Sequence, residues 1–255
     1  FDGTLYFSAD DGLDGTQLWA TDGTANSTGV VKYINPAGHA APGGFTVFDG
    51  ALYFSADDGA AGSELWKTDG TEAGTEMVKD INLIGAGAGS NPNRFAVFDG
   101  ALYFSAYDGA GMDGIELWKT DGTEAGTVMV KDINDAGADQ SSQPADLTVF
   151  NGALYFSAGT GTNGRALFFF FITRRPTRST RVSTLFPCSS SNPAGFTVFG
   201  GALYFRANDD IHGNELWKTD GTTDGTEMLK DINLTIGTNS YPFDFTIANG
   251  ELLFF

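Results

Sequence analysis

The chain of 255 residues contains little of what catalysis and covalent cross-linking usually require. Its single cysteine, Cys188, excludes a disulfide within the chain. Its two histidines, His39 and His212, fall in different loops, so the sequence indicates neither a Ser-His-Asp arrangement nor a histidine-rich metal site. A phosphate-binding glycine motif of the Walker type is absent as well. These absences lead us to expect a protein without enzymatic activity and without catalytic residues.

Basic residues and long apolar runs are also scarce. The chain has 14 Lys and Arg against 32 Asp and Glu, a net charge of −18. Because phosphate groups require a positive surface, we expect no nucleic acid and no anionic membrane as a partner. No apolar run reaches the roughly 18 residues that a membrane helix needs, so membrane insertion is not expected. With 41% apolar residues and 22 Phe, the chain can nevertheless bury a large core.

What the chain does contain is a repeated sequence. The stretch 64–80 (ELWKTDGTEAGTEMVKD) returns almost unchanged at 116–132 and 215–231, and more loosely at 17–33. A second motif, Leu-Tyr-Phe, precedes each of these four stretches and begins at Leu5, Leu52, Leu102 and Leu203. It occurs a fifth time at Leu154. Near-copies of this kind indicate one structural unit that is used several times. A period of about 50 residues, built from strand-like pieces without helical periodicity, predicts the blades of a β-propeller.

The second repeat shows the expected blade. Phe45–Phe48, Ala51–Ala56, Glu64–Thr68 and Thr75–Ile81 are predicted strands, and Asp49-Gly50 between the first two predicts a hairpin turn. Four strands per period match a propeller blade. Third strands are then expected near residues 17–19, 64–66, 116–118, 166–168 and 215–217. We predict one all-β domain, residues 1–255, that forms a propeller of five blades, or of six or more if the chain is a fragment of a longer array.

Residues 166–188 depart from the repeat. Where the pattern requires ELWKTDGT the chain has ALFFFFIT, followed by a stretch with Arg174, Arg175, Arg178 and Arg181. The abrupt change of composition between regular repeats indicates out-of-frame or misread sequence, and a basic insertion that serves a partner is the alternative. The high β-propensity of the segment from Phe168 to Ile172 still predicts a third strand.

Aromatic residues recur at fixed positions and allow two interpretations. Each third strand carries Trp at the same place, except that the fourth has Phe168. A large aromatic residue in every blade can be core, packed between neighbouring blades. It can also form a shelf for sugar rings, as in ring-shaped lectins, and the Leu-Tyr-Phe tyrosines are equally ambiguous. The candidate ligand-binding residues are Trp19, Trp66, Trp118, Trp217, Tyr53 and Tyr103.

Loops rich in Asp and Gly follow the Leu-Tyr-Phe strand in every repeat but the fourth. Carboxylates close together on such loops suit Ca²⁺, although their spacing is not that of an EF-hand and Asp is also a common turn former. The candidate calcium ligands are Asp10, Asp11, Asp14, Asp57, Asp58, Asp108, Asp113, Asp209 and Asp210. In the Asp-Gly-Thr turns, by contrast, we expect the Asp side chains to hydrogen-bond their own backbone.

The third-strand motif resembles that of a known family. Residues 64–71, 116–123 and 215–222 read Glu-Leu-Trp-x-x-Asp-Gly-Thr, and residues 17–24 match except for Gln17. This motif is similar to the ELWxxDGT repeat of large secreted bacterial proteins, and the resemblance covers every repeat but the fourth. It implies an extracellular or cell-surface location and a repetitive β architecture, and it implies no defined activity.

Together these observations predict a non-enzymatic recognition or adhesion propeller that binds glycans or surface proteins. The specific version is lectin-like, with one weak carbohydrate site in each blade. A structural or protein-binding scaffold stabilised by calcium is one alternative, and a glycosidase-type propeller enzyme is another. The loop after the fourth strand varies most between repeats, which favours it as the binding element.

Overall fold

The computed structural model describes residues 1–109, 114–134, 141–160, 164–171, 181–184, 191–235 and 237–255. Within these ranges the chain forms antiparallel β-strands and contains no helix. The described residues form two compact units, residues 1–132 with Ser141 and residues 133–134 with 142–255. The all-β class is therefore confirmed, whereas a single domain over residues 1–255 stays a prediction.

The first unit contains three sheets, in each of which strands adjacent in sequence pair with one another. Repeat one forms a sheet of β1 (Leu5–Asp10), β2 (Thr16–Thr21) and β3 (Gly29–Lys32). Repeat two forms β4 (Gly43–Phe48), β5 (Ala51–Asp57), β6 (Ser63–Thr68) and β7 (Glu76–Lys79). Repeat three forms β8 (Asn93–Phe98), β9 (Ala101–Tyr107), β10 (Ile115–Thr120) and β11 (Val128–Lys131).

The second unit follows the same plan. Repeat four forms β12 (Ala145–Phe150), β13 (Ala153–Gly159), β14 (Arg165–Phe171) and β15 (Arg181–Thr184). Repeat five forms β16 (Ala194–Phe199), β17 (Ala202–Asn208), β18 (Asn214–Thr219) and β19 (Glu227–Lys230). A two-stranded sheet of β20 (Thr246–Ala248) and β21 (Glu251–Leu253) comes last among the described strands. Repeats two to five each form one four-stranded sheet, the blade-like unit that the repeat predicted, whereas repeat one forms three strands.

The turn between the first two strands of repeat two forms as its sequence predicts. Asp49 and Gly50 both have positive φ, 44° and 75°, as a two-residue type I′ turn requires. Such a turn has the twist of the strands that it joins, so it sets the register of β4 on β5. Phe48 then lies opposite Ala51, and Val47 lies opposite Leu52.

The second and third strands pair in a constant register. Phe54 lies opposite Trp66, and the same pairing joins Phe104 to Trp118 and Phe205 to Trp217. In repeat four, Phe156 lies opposite Phe168, which confirms a third strand in the aberrant stretch. The register of β6 on β7 shifts between Leu65 and Trp66, whereas β14 pairs with β15 without such a shift. Residues 172–180 and 185–188 of that stretch lie outside the described part of the chain.

The core lies between adjacent sheets of each unit. In the first unit, Trp66 packs in one buried cluster with Leu18 of the preceding sheet and Phe54 of its own sheet. In the second unit, Trp217 packs with Leu167 of the preceding sheet and Phe205 of its own. Each sheet therefore buries apolar side chains against its neighbour, which single hairpins in water could not do. The number of blades and closure into a ring stay predictions.

Candidate functional site

Glu64, at the start of the ELW motif in β6, holds both ends of the loop that follows β7. Its side chain is buried, with 0% of its surface exposed. Carboxylate oxygen Oε2 accepts hydrogen bonds from the Ile81 N–H (3.1 Å) and the Ser90 hydroxyl, and Oε1 accepts one from the Ser90 N–H (2.8 Å). Burial raises the pKa of Glu64, and the hydrogen bonds partly oppose that effect. We call this arrangement the carboxylate clamp.

Repeat five contains the same clamp. Glu215 is also fully buried. Its Oε2 atom accepts from the Ile232 N–H (2.9 Å) and the Ser240 hydroxyl (2.7 Å), and its Oε1 atom accepts from the Ser240 N–H (3.0 Å). The glutamate of the ELW motif is therefore a buried loop anchor in repeats two and five. The ELW motif alone indicates no role for this glutamate, although a serine about 25 residues downstream of it in both repeats is a possible signal.

Repeat one replaces the carboxylate with an amide. Gln17 is 1% exposed, and its Oε1 atom accepts from the N–H groups of Ile34 (3.0 Å) and Asn35 (3.3 Å). Its Nε2 atom donates to the carbonyl oxygens of Asp14 (2.8 Å), Asn35 (2.8 Å) and Gly38 (2.9 Å). Ala40 stands where repeat two has Ser90, because Ala40 and Ser90 each accept a hydrogen bond from the last residue of the next second strand. We call this arrangement the amide clamp.

Among its described residues, repeat four has neither the carboxylate nor the amide clamp. Ala166 takes the place of the glutamate and is buried, with 5% of its surface exposed. Ser191, at the place of Ser90, donates its hydroxyl proton to the carbonyl oxygen of Arg165 instead (3.3 Å). The aberrant sequence thus keeps the strand and lacks the side chain that forms the clamp in the other repeats.

The predicted aromatic ligand sites lie mostly in the core. Trp66, Trp118 and Trp217 are 6–8% exposed, and Tyr53 and Tyr103 are 3% and 0% exposed. Trp19 is half-buried and stacks on Phe7, with ring centroids 6.5 Å apart. Core packing was the first of the two interpretations that the sequence left open. A sugar needs an open aromatic face, so stacking on the buried rings is a prediction without structural support.

Tyr53 has a contact that the sequence did not indicate. Its hydroxyl lies against Gly122 in the Asp-Gly-Thr turn of the next repeat, where a Cβ atom would be 2.4 Å from the hydroxyl oxygen. Gly122 also has a φ of +91°, so glycine is required there for two independent reasons. Tyr6 and Gly70 show the same contact. The Leu-Tyr-Phe and Asp-Gly-Thr motifs therefore meet between consecutive repeats.

The predicted calcium ligands hydrogen-bond their own loops. Asp11 Oδ1 accepts from the N–H groups of Leu13 and Asp14, and Asp58 Oδ1 accepts from those of Ala60 and Ala61. The remaining candidates with such bonds are Asp10, Asp57, Asp108 and Asp209.

Asp113 lies outside the described residues. Asp210 follows Asp209 in the loop after β17, and Asp209 Oδ2 is 2.7 Å from His212 Nδ1. In the described ranges, no three His, Cys, Asp or Glu side chains form a group that could hold a metal ion. Calcium binding stays a prediction.

The Asp-Gly-Thr turns form as predicted. Asp69 Oδ1 accepts from the N–H (2.9 Å) and the hydroxyl (2.7 Å) of Thr71, and these bonds lower the pKa of Asp69. Asp121 and Asp220 make the same bonds to Thr123 and Thr222. In repeat one, Asp22 bonds to the Thr24 N–H.

A cavity of about 250 Å³ opens in the first unit, beside the ends of β9 and β10. Its walls consist of polar and apolar side chains without charge: Ser90, Asn91, Asn93, Tyr107, Ile115 and Ser141. Part of this wall is the loop that the Glu64 clamp anchors. The described part of the chain contains no helix that is long and apolar enough to span a membrane.

No protein-family model matches the chain, and no curated protein matches it. Among solved structures, it is similar to a puromycin hydrolase S511A mutant complexed with PGG, with 12% identity and a TM-score of 0.54. That match covers 89% of this chain and 37% of the hydrolase. A puromycin-hydrolyzing peptidase of Mycobacterium tuberculosis gives 13% identity, a TM-score of 0.53 and coverage of 89% and 38%.

A Bacteroides ovatus xyloglucan-locus GH43B protein has 12% identity and a TM-score of only 0.38, with coverage of 73% of this chain and 40% of its own. The puromycin hydrolases show a likeness in fold alone, since identity is low. The chain spans about two fifths of their length.

These comparisons correct one expectation. The sequence predicted no enzyme, yet the solved structures that this chain resembles are hydrolases. Scarce histidine and near-identical repeats bear only on the chemistry of the chain's own side chains. They contain no information on whether the same repeated sheets occur within enzymes, which is where the prediction was wrong.

Proposed function

We propose that this chain is the substrate-binding repeat domain of a hydrolase. The likeness to puromycin hydrolases extends over 89% of the chain, which supports a place for these sheets within a hydrolytic enzyme. Because the chain spans only 37–38% of those proteins, the activity of the whole protein is part of the proposal. The structural neighbours thus favour the enzyme-related alternatives over an adhesion protein.

The observation that carries the proposal is a clamped loop with exposed apolar residues. In repeat two the carboxylate clamp fixes the loop at Ile81 and Ser90, and Leu83 between them is 78% exposed. In repeat five the same clamp fixes Ile232 and Ser240, and Leu234 is 81% exposed. Rigidly mounted loops are where binding residues concentrate in proteins. A buried carboxylate is a costly anchor, so a fixed loop has value here beyond stability.

The sheets are proposed to be blades of a five-bladed propeller. The period of about 50 residues, the four-stranded antiparallel sheets and their face-to-face packing inside each unit support this arrangement. The resemblance to the secreted ELWxxDGT repeat supports an extracellular or cell-surface location in a bacterium. Glycans or surface proteins are proposed as partners because of the recurrent aromatic residues and the variable loops, and calcium is proposed because of the closely spaced carboxylates of the Asp/Gly loops.

The experiment measures binding and turnover with one panel. Short peptides, aminoacyl nucleosides and methyl glycosides are tested by saturation-transfer NMR, and chromogenic forms of the same compounds test hydrolysis by the intact protein. We expect at least one class to be bound and hydrolysed. A panel with no bound compound would refute the binding role, and a bound class that is never hydrolysed would refute the link to a hydrolase.

Matched variants locate the site. Leu83→Ser and Leu234→Ser change equivalent loop positions, and we expect each to weaken binding severalfold. Val47→Ser removes an apolar side chain that is 52% exposed on a strand, and binding should not change. Equal effects of the loop and strand variants would contradict recognition by the clamped loops.

A further inference from the structure

The cavity beside β9 is built on a backbone contact that repeats two to five share, in repeat four between the Gly159 N–H and the carbonyl oxygen of Ser142 (2.7 Å). The Tyr107 N–H donates to the carbonyl oxygen of Ser90 (2.8 Å), just as the Asp57 N–H donates to that of Ala40 (2.9 Å) and the Asn208 N–H to that of Ser191 (2.8 Å). The backbone therefore follows the same course in these repeats. Only the side chain at the end of the second strand differs.

The side chain of Tyr107 does not cap the following loop, unlike the side chains at the same position of repeats two and five. Asp57 Oδ1 accepts from the Gly59 N–H (2.6 Å), and Asn208 Oδ1 accepts from the Asp210 N–H (2.6 Å), so each side chain caps the loop that follows. A phenol ring at this position cannot supply that cap. Gly159 of repeat four lacks the cap as well, so what distinguishes repeat three is the aromatic ring that Tyr107 places on the cavity wall, which points to a role in binding.

The cavity favours an uncharged ligand. The chain has a net charge of −18, yet none of the six side chains on the cavity wall belongs to Asp, Glu, His, Lys or Arg. The volume of about 250 Å³ lies just below the range for drug-sized ligands. A compact neutral molecule therefore fits the site better than an ion or a long chain.

The polar groups of the wall favour a ligand with hydroxyl groups. Asn91 Nδ2 donates to the Gly89 carbonyl oxygen (3.1 Å), and Asn93 Nδ2 donates to that of Asn91 (2.8 Å). Each amide keeps a second N–H, and the two Oδ1 atoms accept no hydrogen bond within the described part of the chain. Both side chains are exposed, so a ligand with hydroxyl groups can replace water at these donors and acceptors. The Tyr107 ring adds an apolar face with a polar hydroxyl.

We propose that Tyr107, Asn91 and Asn93 bind one neutral sugar ring. A pyranose presents hydroxyl donors at its edge and C–H groups on its face, which match the two carboxamide oxygens and the phenol. This inference rests on the proposed function, because it names carbohydrate as the substrate class that the repeat domain binds. It assigns one asymmetric site to repeat three instead of one equal site to every blade.

The test uses the intact protein and four probes, the methyl glycosides of glucose, galactose, mannose and N-acetylglucosamine, with binding followed by saturation-transfer NMR. We expect millimolar binding of at least one glycoside. Tyr107→Ala and Asn93→Ala should each weaken it by about tenfold or more, the loss of one good contact. Tyr107→Phe keeps the ring and should weaken binding less. Asp57→Ala, at the same position of repeat two, should leave binding unchanged.

Two outcomes would overturn the sugar site. One is the absence of binding by all four glycosides, and the other is a glycoside whose affinity Tyr107→Ala leaves unchanged while the variant unfolds at the wild-type temperature. If a peptide then bound in a manner sensitive to Leu83→Ser, the proposed function would stand and only the sugar site would fall. If no class of compound bound at all, both would fall.

Discussion

Repeats one and two fix equivalent loops with side chains of different charge. Gln17 holds its loop with two acceptor and three donor bonds, and Ala40 stands nearby where no hydroxyl is needed. Glu64 can only accept, and Ser90 supplies it with both an N–H and a hydroxyl. A buried carboxylate is tolerated only when it is fully hydrogen-bonded, so the glutamate and the serine form one unit. The residues of the loop, rather than the strand, determine which clamp is possible.

The largest effect is expected when the carboxylate is put in the wrong repeat. Gln17→Glu would place an acceptor-only group against the carbonyl oxygens of Asp14, Asn35 and Gly38. We expect a loss of about 4 kcal/mol in the free energy of unfolding, since an uncompensated charge is buried. Urea unfolding at neutral pH measures it. Adding Ala40→Ser should restore part of the loss, and a Gln17→Glu variant as stable as the wild type would refute the distinction between the clamps.

Removal of the carboxylate comes next. Glu64→Ala leaves the buried N–H groups of Ile81 and Ser90 without acceptors, which should cost about 3 kcal/mol. Hydrogen exchange should show both amides exchanging at least about tenfold faster, because the loop opens locally. Glu76→Ala, which removes an exposed partner of Lys67, is the control and should cost less than about 1 kcal/mol. Unchanged protection of both amides would mean that Glu64 does not anchor the loop.

Conversion of one clamp into the other should have a smaller effect. Glu64→Gln combined with Ser90→Ala gives repeat two the pair found in repeat one. Because an amide of the same shape can accept from the Ile81 N–H, we expect the double variant to lie within about 1 kcal/mol of the wild type. The two single variants complete a double-mutant cycle. A coupling energy near zero between positions 64 and 90 would contradict the view that they act as one unit.

The pH dependence is expected to be the most subtle difference. Burial raises the pKa of Glu64 in the folded state. A group of this kind favours folding below its unfolded pKa, and that advantage is lost as the pH rises through the folded pKa. The unfolding free energy of the wild type minus that of Glu64→Gln should therefore fall as the pH rises above the pKa of an unfolded glutamate, about 4.3. Glu76→Gln serves as the control, and a difference that grows with pH would disprove the assignment.

The repeat period carried most of the information about the fold. In repeat two, the expected strand Ala51–Ala56 forms as β5 (Ala51–Asp57), and the turn at Asp49-Gly50 forms with the required positive φ values. These features depend on residues close together in sequence, which is why the pattern shows them. The fourth strand is shorter than predicted, Glu76–Lys79 instead of Thr75–Ile81, because Ile81 donates its N–H to Glu64 rather than to the sheet.

The site was harder to predict, because its residues meet only after folding. Glu64 and Ser90 are 26 residues apart, and nothing in the ELW motif states that its glutamate is buried. The motif tryptophans attracted attention as possible sugar platforms, whereas Trp66 is packed against Leu18 of another sheet. Tyr107 could not be predicted as a site residue from the repeat pattern, because it departs from the Asp or Asn found at its position in repeats one, two and five.

Repeat four shows that one repeat of such an array can lose most of its motif residues and still form paired strands. It has lost the tryptophan, the glutamate and the Asp-Gly-Thr turn, yet β14 keeps its register on β13 and Leu167 stays in the core with Leu203 and Phe205. Each repeat of such an array contacts mainly its neighbours. The packing of repeat four on repeat five therefore persists although the motif of repeat four is altered. A gene of this kind can therefore carry a drastically altered copy and still encode a folded product, which gives each copy freedom to acquire a binding surface of its own.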